Sequence, residues 1–274
     1  MVDILLDTLI DSLKLIIFLF LTFLIIEYLE KKIKSEKIIK KVGKKGPFVG
    51  SLLGAFPQCG FSVSATNFYI THIITLGTLI SVYLSTSDEM LPILIANGLP
   101  VTKILLIIGI KILIGMLCGF IIDIIIVNKK KPNIHALCED EHCHCEDENI
   151  FLSALKHTLS TILFIFIISL LLNIALEYLD LSFLTNFMNE NSIFSPFISS
   201  LIGLIPNCGA SIMITELYLN NMMSFGTMMA GLLTGSGVGI LVLIKSNKNW
   251  KENLTIIGLL YLIGVVSGII INLI

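Results

Sequence analysis

The sequence predicts an all-α polytopic membrane protein built from two inverted-topology repeats of about five membrane segments each. Three observations predict this architecture: an apolar composition, a repeat that relates the two halves, and lysines on opposite sides of equivalent loops. Hydrophobic residues make up 55% of the 274 residues and charged residues only 14%, whereas a soluble domain carries about a quarter charged residues. The charges fall in short segments between long apolar runs, which is typical of helices that cross a lipid bilayer.

The internal repeat relates residues 47–125 to residues 196–274 without gaps, at a constant offset of 149, with 28 identities over 79 aligned positions. Shared leucine and isoleucine raise such a count in any membrane segment. The following matched pairs do not have that explanation: Pro57 and Pro206, Cys59 and Cys208, Gly60 and Gly209, Tyr69 and Tyr218, Gly77 and Gly226. The repeat predicts a first membrane repeat at 1–127, a loop at 128–150 and a second membrane repeat at 151–274.

The placement of lysines predicts how the two repeats are oriented. The linker 30–46 holds eight lysines and two glutamates, whereas its counterpart 177–195 holds no lysine and three acids. The loop 96–102 is uncharged, and its counterpart 245–251 holds three lysines. Because lysine-rich loops stay on the cytoplasmic side, the repeats are expected to have opposite orientations. Both termini are then predicted outside the cell membrane, with the central loop in the cytoplasm.

The membrane segments of each repeat follow in order. The N-terminal apolar run, from about 13 to 29, is expected to remain as a first segment, because no cleavage site follows it. Residues 47–56 and 60–72 are predicted as short helices of a re-entrant hairpin, broken at the Pro-x-Cys-Gly motif by a proline and a glycine. Residues 74–97 then cross once, with an interruption near 85–89, and residues 100–127 cross back. The alternative is one kinked crossing through 47–72, which requires an additional crossing elsewhere.

The two Pro-x-Cys-Gly turns are the first candidate substrate site. Irregular backbone at membrane depth is tolerated where it lines a cavity, and broken helices surround the midplane site of inverted-repeat transporters. Each turn supplies an amide and a thiol, which are Gln58 with Cys59 and Asn207 with Cys208. We expect the two thiols to meet near the pseudo-twofold axis. The alternative is that each cysteine is only a small buried hydrophobic residue.

The second candidate is the hydroxyl- and acid-rich interruption that contains Thr86, Ser87, Asp88 and Glu89, with Ser236 in the matching segment. An acid at the membrane midplane costs about 2.5 kcal/mol or more, which suggests a function. Such oxygen ligands suit Mn²⁺ or protons. Alternatively, the two acids lie near the interface and cap the following helix.

Two further charged residues lie within apolar segments. Glu216 is a candidate substrate ligand or, alternatively, a satisfied buried carboxylate. Lys111 lies in the middle of an apolar helix whose counterpart position is Leu260. It either pairs with an acid or extends towards the interface, and the sequence leaves this choice open.

The central loop is a candidate metal-binding tract. It concentrates six metal-ligating side chains within eleven residues, which are His135, Cys138, His142, Cys143, His144 and Cys145. Such tracts bind Zn²⁺, Cu⁺ or Ni²⁺. The alternative is a solvated acidic linker.

Four segments resemble a known family: FPQCGFS, LGTL with STSDEMLPILIA, IPNCGAS, and TELY with GLLTGSGVGILVL. They are similar to the ten-helix heavy-metal exporter family, whose members are also called arsenic-efflux-like proteins or manganese transporters. The resemblance covers nearly the whole chain. It implies a ten-segment permease in the cell membrane that exports a metal or metalloid. The positions that match the family's motifs are 57–60, 85–89 and 206–209.

The function that these expectations favour is secondary transport of a heavy-metal cation or metalloid such as Mn²⁺ or arsenite, not enzymatic catalysis. No Walker motif is present in the sequence. The expected partners are the bilayer, the transported ion and a second copy of the chain. No resident cofactor is expected apart from a metal on the central loop, and no nucleic acid is expected. The alternatives are a membrane thiol-redox carrier that uses Cys59 and Cys208, and a metal-sensing membrane subunit.

Overall fold

The computed structural model describes residues 45–87, 90–126, 150–178 and 194–273, together with scattered helical residues between 10 and 25. The regular structure of these residues is helical, with no strand among them, which confirms the predicted all-α class. The helices in chain order are α1 (Gly46–Gly54), α2 (Gly60–Ile70), α3 (Leu76–Ser85), α4 (Met90–Ala96), α5 (Val101–Ile125), α6 (Ile150–Tyr178), α7 (Ser195–Gly203), α8 (Cys208–Leu219), α9 (Phe225–Thr234), α10 (Gly239–Ser246) and α11 (Trp250–Leu273).

The helices of the second half follow those of the first at a regular interval. Helices α7, α9, α10 and α11 each begin 149 residues after α1, α3, α4 and α5, respectively. A Pro-x-Cys-Gly turn follows α1 and another follows α7. His72 lies two residues after the end of α2, and Asn221 lies two residues after the end of α8. Both have a φ of 57°. Histidine and asparagine are among the residues that enter this left-handed region most readily. The backbone of the two halves therefore turns in the same way at matched positions.

Small residues bring the first helix of each half against the third. Gly46, Gly50 and Gly54 recur every four residues along α1 and face α3, where a Cβ at Gly54 would lie 2.2 Å from Ser85 Oγ. In α7 the corresponding positions are Ser195, Ser199 and Gly203. Because such residues present little side chain, the backbones of neighbouring membrane helices can approach closely.

The long helices α5 and α11 pack on α3 and α9, respectively, through glycines and one capping side chain each. A Cβ at Gly77 would lie 2.1 Å from the backbone oxygen of Gly119. Asp123 Oδ1 accepts a hydrogen bond from the Gly77 N–H at 2.9 Å, and Asn272 Oδ1 accepts one from the Gly226 N–H at 3.0 Å. These bonds satisfy free N–H groups in the first turns of α3 and α9.

The helices separate into a buried centre and an apolar exterior. In the segment Phe225–Ser246, which contains α9 and α10, 89% of the most apolar 18-residue stretch is buried inside the protein. The corresponding share in α11 is 28%. The outer helices expose large apolar side chains such as Leu113, Leu117 and Leu262. Within the described part of the chain, five segments are long and apolar enough to cross a membrane. The protein is therefore a multi-pass membrane protein whose broken helices lie inside.

The short helices of each half pack against the opposite half. Helix α2 contacts α10, and α8 contacts α4. Thr66 Oγ1 on α2 donates a hydrogen bond to the backbone oxygen of Gly239, the first residue of α10, at 3.2 Å. This crossed arrangement places the described residues of both helix interruptions in the interior, whereas Phe56 and Pro57 at the first turn remain exposed.

Candidate functional site

The two Pro-x-Cys-Gly turns meet through their cysteines. Cys59 Sγ lies 3.4 Å from Cys208 Sγ. Cys208 is buried and Cys59 is half-buried. A serine three residues after each cysteine donates a hydrogen bond of 2.8 Å to the backbone oxygen of that cysteine. These serines are Ser62 for Cys59 and Ser211 for Cys208. The backbones of the two cysteines thus make equivalent local bonds, and their thiols form one pair.

The amides beside the two cysteines differ in their roles. Asn207 Oδ1 accepts a hydrogen bond from the Gly209 N–H at 3.3 Å, so that its side chain caps α8. The equivalent position in the first half is Gln58, which is half-buried, and α2 has no side-chain cap. The longer side chain of glutamine does not reproduce the asparagine cap.

A narrow cavity lies between the two halves, beside the second turn. Its volume of about 10 Å³ has room for the centre of roughly one water molecule. Polar side chains on its walls come from α5, from α8 and its preceding turn, and from the end of α3. Glycines and two apolar residues complete it. The lining residues are Thr86, Ser87, Met90, Lys111, Gly203, Asn207, Ser211, Gly231, Leu232, Gly235 and Gly237.

Lys111 supplies a charged group to this cavity. Its side chain is 1% exposed although it lies in the middle of the apolar helix α5. The ammonium donates hydrogen bonds to the backbone oxygen of Thr86 and, at 2.8 Å, to that of Leu232. These carbonyls stand at the C-terminal ends of α3 and α9, so one side chain joins the broken helices of the two halves.

In the region related to the cavity by the repeat, the described residues include a tyrosine ring. Tyr83 occupies the position that matches Leu232, and its hydroxyl bonds to Thr66 Oγ1. A Cβ at Gly239 would lie 2.9 Å from the Tyr83 ring and 3.1 Å from Ser62 Cβ. Among the described residues, the tyrosine ring therefore packs against Gly239, the counterpart of the cavity residue Met90, so the two sides of the interior are lined differently.

Several predicted substrate residues come together, and others lie elsewhere. Thr86, Ser87 and Asn207 line the cavity. Ser236 is buried between two of the lining glycines, and its Oγ has no hydrogen-bond partner among the described residues. Glu216 is exposed on α8 and is not on the cavity wall. Its matched residue Asn67 is fully buried, with no hydrogen-bond partner for its side chain in the described part of the chain.

Two groups of predicted residues lie outside the described residues. One is the acid pair Asp88 and Glu89, which directly follows the cavity residue Ser87 in the sequence. The other is the set of six candidate ligands in the central loop: His135, Cys138, His142, Cys143, His144 and Cys145. Among the described ranges, no cluster of three or more metal-ligating side chains occurs.

Residue types in the sequence did not single out Ser211, and they left the partner of Lys111 open. Ser211 matches Ser62 within the aligned FPQCGFS and IPNCGAS segments, so the repeat itself contains the information needed to select it. Lys111 was recognisable as a single charge in an apolar helix. Its described acceptors include two backbone carbonyls, which residue types do not reveal.

A comparison with protein families places the whole chain in one of them. A family model, ArsP_2, described as "Putative, 10TM heavy-metal exporter", matches residues 1–183 and 163–274. The chain belongs to this family. The resemblance inferred from the motifs is confirmed, and the exporter family is one of transport proteins, not enzymes. No curated protein and no solved structure matched the chain.

Proposed function

We propose that this member of the heavy-metal exporter family is a secondary permease that exports a heavy-metal ion or metalloid through a midplane site between two inverted repeats. The observation that carries the proposal is the contact of 3.4 Å between Cys59 Sγ and Cys208 Sγ. Inverted-repeat transporters bind substrate where discontinuous helices of the two repeats meet. A thiol pair contributed by two such turns is a soft ligand set for a transported ion.

The position of the cavity supports a site shared by both halves. Thr86 and Ser87 come from the first half, whereas Asn207 and Ser211 come from the second. Asn207 directly precedes Cys208, so the cavity begins one residue from the thiol pair. A rocking motion of one half against the other would change access to this position without dismantling either turn.

The chemistry of the described residues favours a neutral metalloid hydroxide, such as arsenous acid, over a bare divalent cation. Thiols are soft ligands and suit arsenic(III) better than Mn²⁺. The buried ammonium of Lys111 on the cavity wall repels a divalent cation. Hydroxyl and amide groups from Thr86, Ser211 and Asn207 suit the hydroxyls of such a substrate. Asp88 and Glu89 favour Mn²⁺ instead, and we therefore propose to test both classes.

The decisive experiment measures flux into proteoliposomes that contain the purified full-length chain. Arsenite, Mn²⁺, Zn²⁺ and Cd²⁺ are supplied in parallel, and empty liposomes provide the baseline. We expect saturable arsenite flux, reduced at least tenfold by Cys59→Ala or Cys208→Ala. Cys118→Ala is the matched control, because Cys118 is half-buried on α5 and belongs to a different apolar cluster.

The outcomes separate the candidate substrates. A fall in Mn²⁺ flux caused by Asp88→Asn, with the cysteine variants unaffected, would assign the site to the acids and to a divalent cation. If the wild-type protein transports no member of the panel, the proposed transport function is contradicted.

A second candidate function is a membrane thiol-redox carrier, which the proximity of the two thiols also favours. Such a carrier passes electrons when its two thiols lose two electrons and two protons to an acceptor disulfide, and form a disulfide of their own. Alkylation of single-cysteine variants from oxidised and reduced cells distinguishes the functions. A carrier requires a Cys59–Cys208 disulfide in cells, whereas a permease keeps both thiols reduced during transport.

The proposed topology is that of an inner or plasma membrane protein, with both termini outside and the central loop in the cytoplasm. The asymmetry of lysines between the linker 30–46 and its counterpart 177–195 supports it.

We further propose a homodimer. A metal-sensing subunit remains the third candidate function, and the central loop would then hold the detected metal.

A further inference from the structure

Lys111 lies where burial of an ionised side chain costs free energy unless specific partners stabilise its charge. It is 1% exposed in the middle of α5, and its counterpart in α11 is the fully buried Leu260. An ionised side chain inside a membrane protein faces the interior of the helix bundle and binds specific partners there. Because the matched helix needs no charge at this position, the lysine is not a requirement of helix packing as such.

Two hydrogen-bond acceptors of Lys111, the backbone oxygens of Thr86 and Leu232, share one structural property. Thr86 is the C-cap residue of α3, where the backbone leaves the helix with φ −52° and ψ 126°. Leu232 lies in the last turn of α9, whose C-cap residue Gly235 has φ −69° and ψ 93°. Carbonyls in the last turn of a helix lack intrahelical partners, and each helix end carries roughly half a negative charge. Two such ends from opposite halves therefore both attract a positive charge.

Carbonyls at the ends of broken helices are the usual ligands for free coupling cations in inverted-repeat transporters. An ammonium group offers three donors and one positive charge in the same position. We propose that the ends of α3 and α9 form a monovalent-cation site, and that the Lys111 ammonium is its tethered occupant. The tethered ammonium connects the broken helices to each other through hydrogen bonds, so this site requires no free sodium ion.

The site makes a prediction about ligand binding that does not require transport. Shortening Lys111 to alanine leaves the carbonyls of Thr86 and Leu232 without the ammonium and opens space for a small cation. Methylammonium is the closest free equivalent of the missing group, and Na⁺ is the simplest inorganic one. Lys111→Met keeps most of the side-chain volume, lacks charge, and should admit neither ion.

The experiment compares melting temperatures of the purified full-length chain in detergent. Choline, Na⁺ or methylammonium chloride is added at constant ionic strength. We expect methylammonium to raise the melting temperature of Lys111→Ala saturably, by about 3 to 5 °C at ten times its dissociation constant. The wild-type protein, Lys111→Met and Lys245→Ala should not respond. Lys245 is the control lysine, because it donates to Ser160 Oγ and Thr161 Oγ1 instead of to helix ends.

If Lys111→Ala gives no folded sample in choline, extraction in methylammonium should recover a monodisperse protein several-fold better. The absence of both stabilisation and recovery overturns the proposed cation site. An equal response of Lys111→Met also overturns it, because a general salt effect would then explain the shift.

The consequence for the transport cycle rests on the proposed function. Wild-type flux in proteoliposomes should stay within about twofold when choline replaces Na⁺ on both sides. A strict requirement for Na⁺ would overturn the tethered-cation role while leaving the permease intact. Absence of any wild-type flux would overturn the permease, and the melting experiment would still decide the cation site.

Discussion

The sulfur atoms of Cys59 and Cys208 lie 3.4 Å apart although 149 residues separate the two cysteines along the chain. Each occupies the third position of a Pro-x-Cys-Gly turn between two short helices. Cys118, the third cysteine in the described residues, packs against a different apolar cluster from Cys59. The contact therefore follows from the crossed packing of the two halves and not from a general clustering of cysteines.

The thiol pair predicts a specific crosslink. A protease site that replaces residues 133–148, and with them the three cysteines of the central loop, allows the two halves to be separated after purification. Mild oxidation with copper phenanthroline should keep the cleaved halves joined on a non-reducing gel, because the two thiols are already in contact. Cys118→Ser should crosslink like the wild type, whereas Cys59→Ser and Cys208→Ser should release both halves. Joined halves in either of these last variants would refute the pairing.

The close approach of α1 to α3 predicts a steep cost for a single methyl group. A Cβ at Gly54 would lie 2.5 Å from the backbone oxygen of Val82, which cannot rotate away. Gly54→Ala should therefore destabilise the protein by about 1–3 kcal/mol, and scanning fluorimetry in detergent should show a lower melting temperature.

The matched controls are Gly109→Ala and Gly258→Ala, since neither glycine has a contact within 4 Å of an added Cβ. These variants should be neutral or up to about 1 kcal/mol more stable, because alanine favours a helix over glycine. Equal melting of Gly54→Ala and Gly109→Ala would argue against the close packing.

The caps of α3 and α9 predict which substitution of Asp123 is tolerated. Asp123 Oδ1 accepts from the Gly77 N–H, and its Oδ2 accepts from Thr75 Oγ1 at 2.7 Å. Asn272 performs the same two tasks in the second half with its single side-chain oxygen. Asp123→Asn should therefore change the unfolding free energy by less than about 0.5 kcal/mol, whereas Asp123→Leu should lose about 1–2 kcal/mol.

Thermal or urea unfolding in detergent measures this difference. Asn272→Leu should cost about as much as Asp123→Leu, because the two caps are equivalent. A large loss with Asp123→Asn would mean that the carboxylate charge, and not the capping geometry, is what stabilises α3.

The central loop predicts a separation between transport and metal capture. Deleting residues 133–148 removes the six histidines and cysteines of the loop but leaves both membrane repeats. Flux of the transported species should stay within about threefold, whereas binding of Zn²⁺ by the detergent-purified protein should fall sharply. Replacing the same six side chains with serine is the matched control for loop length. Loss of all transport on deletion would favour the sensor function instead.

Residue types alone selected some of the site and missed other parts. Thr86, Ser87 and Asn207 follow from hydroxyl and amide groups at breaks in apolar segments, and the cavity contains all three. Glu216 was selected for its charge, yet its side chain is exposed, and the buried polar side chain at the matched position is Asn67. A helix presents one face to the core, and the sequence did not reveal which face of α8 that is, because polar and apolar residues do not segregate clearly around it.

The sequence by itself determined the membrane class, the family and the internal repeat, because these properties depend on composition, motif identity and spacing along the chain. It also located the breaks in the helices, since proline and glycine act on the local backbone. Only the tertiary structure decided that Cys59 meets Cys208, that the Tyr83 ring packs against Gly239, and that Lys111 joins the ends of α3 and α9. These relations depend on how close-packed helices from opposite halves cross. The two partners that join these helices through Lys111 are backbone carbonyls, which every residue carries and which no sequence pattern distinguishes.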